Sequence, residues 1–169
     1  MRPQDVVILL KKLTSSGRLM TGKELAASLC ISASEVSESL GRSRVAGLIG
    51  VDKKRVNTLA LKEFLVHGIQ YCFPAVLGQT LRGIPTAAVE LLDGEAIPSD
   101  TDVLVWKDRT GSAKGQSVAP LYPTVPEAVK QDDDLYRLLV ATDMLRIGRV
   151  REREAAIAYL DKTMAAYGQ

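Results

Sequence analysis

The sequence predicts an α+β fold, with helices at both ends and short strands in the middle. Apolar residues recur at helical spacing through the first seventy residues and again from residue 132 to residue 167. Six of the seven prolines and five of the glycines fall between residues 74 and 126. Because such a composition disfavours long helices, we expect short strands between residues 80 and 125 and helices over residues 132–167.

Capping signals divide the N-terminal part into separate helices. A first helix ends at Ser15-Ser16-Gly17, and Thr21 can cap a second. Ser32 and Glu35 form the S-x-x-E pattern of a capping box, which predicts that a third helix starts here and that the cap occupies Glu35. The segment TLALKEFLVH predicts a fourth helix.

The second and third helices fit a helix-turn-helix. Ala26 is small enough for a close approach of the two helices, and Ile31 can anchor the turn between them. Val36 and Leu40 then lie on the inner face of the third helix. After that helix come Gly47-Leu48-Ile49 and the basic segment GVDKKRVN, which predicts a small hairpin.

The segment TGKELAASLCISASEVSESLGRSRVAGLI resembles the winged helix-turn-helix of MarR-like bacterial transcription regulators, and the resemblance covers about residues 5–70. It implies a DNA-binding domain over residues 1–70, double-stranded DNA as the partner and a homodimer. The sequence departs from the family at Cys30, where glycine is common, and at Ser39 and Ser43, which are usually apolar.

Helical geometry then assigns contacts to the third helix. Ser34, Ser37 and Glu38 are predicted to face base edges, where a glutamate can accept a hydrogen bond from cytosine. The DNA backbone would be held by Lys23, Arg42, Arg44, Lys53, Lys54 and Arg55. Alanine at Arg42 or Lys54 should then weaken binding to all sequences. The alternative for Lys53-Lys54-Arg55 is an ordinary solvated turn.

Residues 71–169 are predicted to form a C-terminal α+β region for dimerisation, sensing or partner binding. One hypothesis is a ligand or partner pocket with Arg82 or Lys114 as an anionic anchor, and the alternative is the core of a small second domain. The residues of that aromatic group are Tyr71, Phe73, Trp106 and Tyr122. The charged run from Arg146 to Glu154 is predicted to face outward, with a dimer seam between C-terminal helices as its functional interpretation.

No pattern supports catalysis or a cofactor. His67 is the single histidine, and the two cysteines give no recognisable metal-ligand spacing, so we predict no metal and no enzyme. Thr110–Gly115 could cradle a phosphate, but a flexible basic hairpin explains it better. Ser99–Asp102 indicates a turn, and Asp132–Asp134 a helix start.

Charge and hydropathy give the remaining expectations. The first 70 residues carry a net charge of +5 and the other 99 carry −3, which suggests an anionic partner for the N-terminal part. No signal peptide or membrane span is apparent near the N-terminus, so a cytoplasmic location is expected. The sequence thus favours a sequence-specific DNA-binding transcriptional regulator. The alternative is a protein-interaction module, such as an antitoxin or adaptor built on a winged helix.

Overall fold

The computed structural model describes residues 1–15, 19–97 and 102–167, and their α+β architecture confirms the predicted class. The last two helices of the chain, with 15 and 18 residues, are longer than any of the strands. The helices are α1 (Pro3–Thr14), α2 (Gly22–Leu29), α3 (Ala33–Val45), α4 (Thr58–His67), α5 (Ile69–Cys72), α6 (Glu90–Asp93), α7 (Val125–Ala128), α8 (Asp133–Ile147) and α9 (Val150–Tyr167). The strands are β1 (Leu77–Thr86), β2 (Leu104–Lys107) and β3 (Ala113–Val118).

Helix α8 lies at the centre of the molecule. Asp132 caps it by accepting a hydrogen bond from the Leu135 amide, as the acidic run predicts. Nine of its residues are buried, from Leu135 to Leu145, and they pack against α1, α5, α9 and β1. The N-terminal 70 residues and the C-terminal region therefore share one hydrophobic core.

A second link joins the middle segment to the N-terminal helices. Helix α7 packs on α2, and the Thr124 hydroxyl donates a 2.7 Å hydrogen bond to the Leu29 carbonyl at the end of α2. Three prolines between Pro120 and Pro126 favour an extended chain, but the stretch turns into α7, because a proline is tolerated in the first turn of a helix. The middle segment thus packs on the N-terminal part.

Three strands form a small closed barrel. The first half of β1 pairs antiparallel with β3, with Arg82 opposite Lys114, and its second half pairs antiparallel with β2, with Ile84 opposite Trp106. β2 and β3 then pair in parallel through Val105 and Ser117. The polar, glycine-containing composition of KDRTGSAKGQ indicates a loop, and this is wrong for its second half, which forms β3. The predicted turn Ser99–Asp102 lies mostly outside the described residues.

Glycines allow these strands to approach one another. A Cβ at Gly83 would lie 2.0 Å from the Trp106 carbonyl oxygen, and one at Gly115 would lie 2.0 Å from that of Val103. A Cβ at Gly111 would lie 2.1 Å from the backbone carbonyl carbon of Gly83. The glycines of Thr110–Gly115 therefore serve backbone packing, which explains why a strand here has the composition of a loop.

We expect Gly115→Ala to destabilise the fold by about 3 kcal/mol, because the new methyl group meets backbone that cannot rotate away. Gly41→Ala is the matched control, since a Cβ there meets nothing within 4 Å. In the helix interior that change should stabilise by about 0.5–1 kcal/mol. Denaturant unfolding of both variants measures the difference, and equal effects would contradict the packing role of Gly115.

A buried carboxylate joins α8 to the barrel. Asp143 is 2% exposed and accepts hydrogen bonds from Trp106 Nε1 at 2.7 Å and Thr86 Oγ1 at 3.0 Å. The Arg146 guanidinium donates to the same carboxylate at 2.6 Å and reaches the Phe73 carbonyl at 2.8 Å. We call these four side chains, Asp143, Trp106, Thr86 and Arg146, the Asp143 cluster. Burial raises the pKa of Asp143, and Arg146 with the two other donors opposes that shift.

Two arginines of the Arg146–Glu154 run point inward, which corrects the prediction that the whole run faces outward. The Arg146 side chain is only 4% exposed, and Arg153 donates to the carbonyls of Leu145 and Val66. Each guanidinium satisfies carbonyl groups near the ends of helices or in loops. Among the described residues of the run, Arg149 and Arg151 remain as exposed cations.

Candidate nucleic-acid interface

Helix α3 presents a polar face because its start is fixed by the turn before it. Ser32 accepts a hydrogen bond from the Glu35 amide, and Ile31 is buried in the turn, as predicted. Val36 is fully buried on the inner face. The predicted base-reading residues Ser34, Ser37 and Glu38 consequently lie together on the exposed side of the helix.

The turn between α2 and α3 contains a backbone conformation that usually favours glycine. Cys30 has a φ of +53°, in the left-handed region, and its amide closes α2 onto the carbonyls of Ala26 and Ala27. The Ile31 amide also reaches the Ala26 carbonyl at 3.0 Å. Cys30 thus adopts the glycine-like geometry at the position where the sequence departs from the MarR-like pattern.

A buried ion pair fixes α3 to α1. Asp5 of α1 is fully buried, and its carboxylate receives Arg42 Nη2 at 2.7 Å and Arg42 Nε at 3.0 Å. Arg42 Nη2 also lies 2.5 Å from Glu35 Oε1, which the Gln4 amide contacts at 3.0 Å. We call these residues, Gln4, Asp5, Glu35 and Arg42, the α1–α3 charge network. Burial raises the pKa of Asp5, but hydrogen bonds from Arg42 and Arg2 outweigh it and leave that pKa below its usual value.

The α1–α3 charge network gives Arg42 and Glu35 roles that differ from the predicted ones. Arg42 was predicted to hold a phosphate, but three carboxylates already surround it, because Glu38 also lies 3.6 Å from its Nη1. Glu35 was predicted to complete the helix cap, but its side chain is bound to Arg42, whose hydrogen bond holds the Glu35 pKa below its usual value. Both residues therefore position α3, and the Arg42 charge is taken up within the chain instead of facing a phosphate.

Two serines lie between α3 and its core. Ser39 and Ser43 are fully buried at inner positions where the family is usually apolar. The Ser39 hydroxyl helps to lower the pKa of Asp5, although its geometry falls short of a full hydrogen bond, and the Ser43 hydroxyl has no partner among the described residues. Ser39 therefore lies beside the Asp5 carboxylate that Arg42 binds.

The other predicted phosphate contacts are not neutralised. Lys23, Arg44, Lys54 and Arg55 are exposed, and Lys53 is half-buried; among the described residues, none of the five has a carboxylate within 4 Å. A short hairpin over residues 49–56 carries three of them. It is closed by the Ile49–Val56 bridge, and the Asp52 carboxylate accepts the Lys54 amide at its tip.

An apolar groove runs beside the C-terminal end of α3. Its volume is about 490 Å³, and Leu59 and Phe64 of α4 line it together with Met1 and Leu48. Leu59 is 69% exposed, and Val45 at the end of α3 is 85% exposed. The polar face of α3 therefore adjoins an uncovered apolar surface, a feature that the sequence pattern alone did not indicate.

The aromatic residues of the predicted pocket do not line one cavity. Trp106 is core, 1% exposed, and packs edge-on against Tyr136. Phe73 packs on Phe64, whereas Tyr71 is 77% exposed on α5. Tyr122 is half-buried in the turn before α7. The core interpretation of this group therefore holds for Trp106.

Comparisons of the chain with protein-family models, curated proteins and solved structures gave no match. Function must therefore be inferred from the geometry. No described helix is long and apolar enough to cross a membrane. Within the described ranges, no three His, Cys, Asp or Glu side chains are grouped to hold a metal ion.

Proposed function

We propose that the protein is a sequence-specific, double-stranded DNA-binding transcriptional regulator of the bacterial cytoplasm. In this proposal α2 and α3 act as a helix-turn-helix and the 49–56 hairpin as its wing. The observation that carries it is the exposed face of α3, where Ser34, Ser37 and Glu38 lie side by side in solvent while α1 and α2 pack behind. A helix held from behind in this way can enter a major groove.

The proposed division of labour follows from chemistry. Glu38 would accept a hydrogen bond from a cytosine amino group, and the serines would pair with either base edge. Because an acidic residue repels phosphates, affinity would come from Lys23, Arg44 and the hairpin residues 53–55. Glu38 is exposed and only 3.6 Å from Arg42, so reading a base would require it to give up one weak ion pair.

A homodimer fits this function, because two recognition helices must be one helical turn of DNA apart. Helix α8 is buried inside the chain and is not available for the predicted seam between C-terminal helices. Helix α9 buries Ala156, Leu160 and Met164 against its own chain. A dimer would therefore use the exposed surface of α9 or of other elements, and residues 71–169 would otherwise serve sensing of a small-molecule effector or binding of a partner protein.

The test is fluorescence anisotropy on a labelled duplex from the region upstream of the protein's own gene, against a scrambled duplex. We expect K54A/R55A to weaken binding to both duplexes. The steepness with which log K falls with log salt should decrease by about 2, because each removed charge loses one phosphate contact. We expect E38A to change the ratio between the two duplexes by about 10-fold, which corresponds to about 1.4 kcal/mol.

The matched control is R151A/K162A, which removes two exposed cations from α9. It should bind as the wild type does. If K54A/R55A and this control have the same salt slope, the hairpin does not hold the backbone. If the wild type binds neither duplex at low salt, α3 is not a recognition helix and the proposal is wrong.

The apolar groove favours a second function, a protein-interaction module such as an antitoxin or adaptor. Met1, Leu59 and Phe64 would then receive a partner beside α3, and the serine- and glutamate-rich face would form the polar rim. Binding that survives both nuclease and high salt, and that L59E abolishes, would favour this function over DNA reading.

A further inference from the structure

The three-stranded barrel carries a cluster of exposed cations that the proposed recognition helix does not explain. Arg82 on β1 stands directly opposite Lys114 on β3. Opposed residues of an antiparallel pair lie on the same face, so two like charges are neighbours there, an arrangement that costs stability. Arg109, in the loop after β2, is exposed as well. We call these three residues, Arg82, Arg109 and Lys114, the barrel cations.

The barrel cations have no neutralising partner in the described part of the chain. Arg82 Nη1 donates to the Gly111 carbonyl at 3.0 Å, so it lies over the loop that contains Arg109. The loop's one acid, Asp108, is bound by Lys130 at 3.1 Å and by Thr110 at 2.6 Å, and these contacts hold the pKa of Asp108 below its usual value. Glu95 shares a hollow with Lys114 but forms no ion pair with it.

This concentration of positive charge is unusual in its surroundings. The last 99 residues carry a net charge of −3, yet three exposed cations without an ion-pair partner lie on one side of a small barrel. A purely solvated surface would gain nothing from placing Arg82 opposite Lys114. A cluster of this kind binds an anionic partner whose charges are closely spaced.

The neighbouring side chains indicate which polyanion fits. The exposed side chains next to the barrel cations, Thr110, Ser112 and Gln116, offer hydroxyl and amide groups. The apolar residues that line the hollow beside Lys114, such as Ile84, Leu91 and Val103, are buried or half-buried. A protein partner is usually held by exposed aromatic or apolar anchors at the centre of its interface. No aromatic residue is exposed among residues 107–118, so stacking of unpaired bases has no platform either. Phosphates of a duplex need only cations and hydrogen-bond donors.

We propose that the barrel is a second DNA-backbone-binding surface, in which Arg82 and Lys114 contact phosphates together and Arg109, in the loop that Arg82 contacts, extends the contact. The inference rests on the proposed function, because it assumes that the chain binds duplex DNA. This surface contributes affinity and salt dependence, and base reading stays with α3.

The test compares R82A/K114A with the control R151A/K162A on a duplex of about 40 base pairs, which spans about four helical turns. Loss of two phosphate contacts should lower the salt slope by about 2 and weaken binding at low salt, while the ratio between own and scrambled duplex stays unchanged. The melting temperature of K114A should be no lower than that of the wild type, because its removal relieves the opposed charges.

Each outcome decides between the two proposals. Suppose that the wild type prefers its own duplex and that R82A/K114A has the wild-type salt slope. The proposal that the barrel binds the DNA backbone is then wrong, and the proposed regulator function is retained. If the wild type shows no preference between the two duplexes but R82A/K114A lowers the salt slope, the barrel does bind the DNA backbone. The proposal that α3 reads a sequence is then wrong. If the wild type binds no duplex, both are wrong.

Discussion

Asp143→Ala is expected to destabilise the protein by about 3–5 kcal/mol, the range for removing one partner of a buried ion pair. The change leaves the Arg146 guanidinium, 4% exposed, without its carboxylate. It also leaves the Trp106 Nε1 and Thr86 Oγ1 donors without their hydrogen-bond acceptor. Since a domain is stable by about 5–15 kcal/mol, this loss is a large part of the total. Denaturant unfolding at neutral pH measures it.

Asp161→Ala is the matched control for Asp143→Ala. Asp161 is 52% exposed and pairs with Lys62, so its loss should cost no more than about 1 kcal/mol. If Asp143→Ala does not fold, Trp106→Phe removes a single donor and should cost about 1–3 kcal/mol. Equal stability of the Asp143 and Asp161 variants would show that the Asp143 cluster does not hold α8 to the barrel.

Asp5→Ala should cost about 3 kcal/mol, near the lower end of the same range because Arg42 remains 23% exposed. The variant leaves Arg42 with Glu35 and Glu38 only, so we also expect α3 to lose its fixed position on α1. Hydrogen exchange of α3 amides should therefore rise more than exchange of α8 amides. Glu63→Ala, an exposed acid on α4, is the control.

The same network predicts a pH dependence. Since the pKa of Asp5 is lower in the folded protein than its ordinary 3.8, the pair stabilises the fold above that ordinary value. The stabilisation is lost as pH falls toward the lowered pKa, when the unfolded chain binds the proton first. Wild type should lose stability between about pH 5 and pH 3 more steeply than Asp5→Asn. Parallel curves for the two proteins would contradict this role of Asp5.

Local signals were sufficient for most of the helices. The caps Thr21, Ser32 and Asp132 stand where the sequence placed them, and Ile31 and Val36 occupy the predicted inner positions. Such features depend on residues within one or two turns of each other, which is the range over which periodicity and capping operate.

Long-range partners could not be predicted in this way. Arg42 looked like a phosphate contact because Asp5, its main partner, is 37 positions away. Arg146 is the i+3 neighbour of Asp143 on α8, but Trp106 and Thr86 reach Asp143 from β2 and β1, so no spacing rule connects these two donors to it. Strand β3 was missed because Gly111 and Gly115 are needed for contacts with distant backbone, and glycine by itself indicates a loop.

The mutual pairing of β1, β2 and β3 has a consequence for how other chains can attach. Each strand has a neighbour on both sides over part of its length, so the barrel offers few free backbone amides and carbonyls to an incoming strand. Addition of a peptide as an extra strand, and edge-to-edge aggregation, both need such a free row. The barrel should therefore resist both, and its contacts with other molecules should be made by side chains alone.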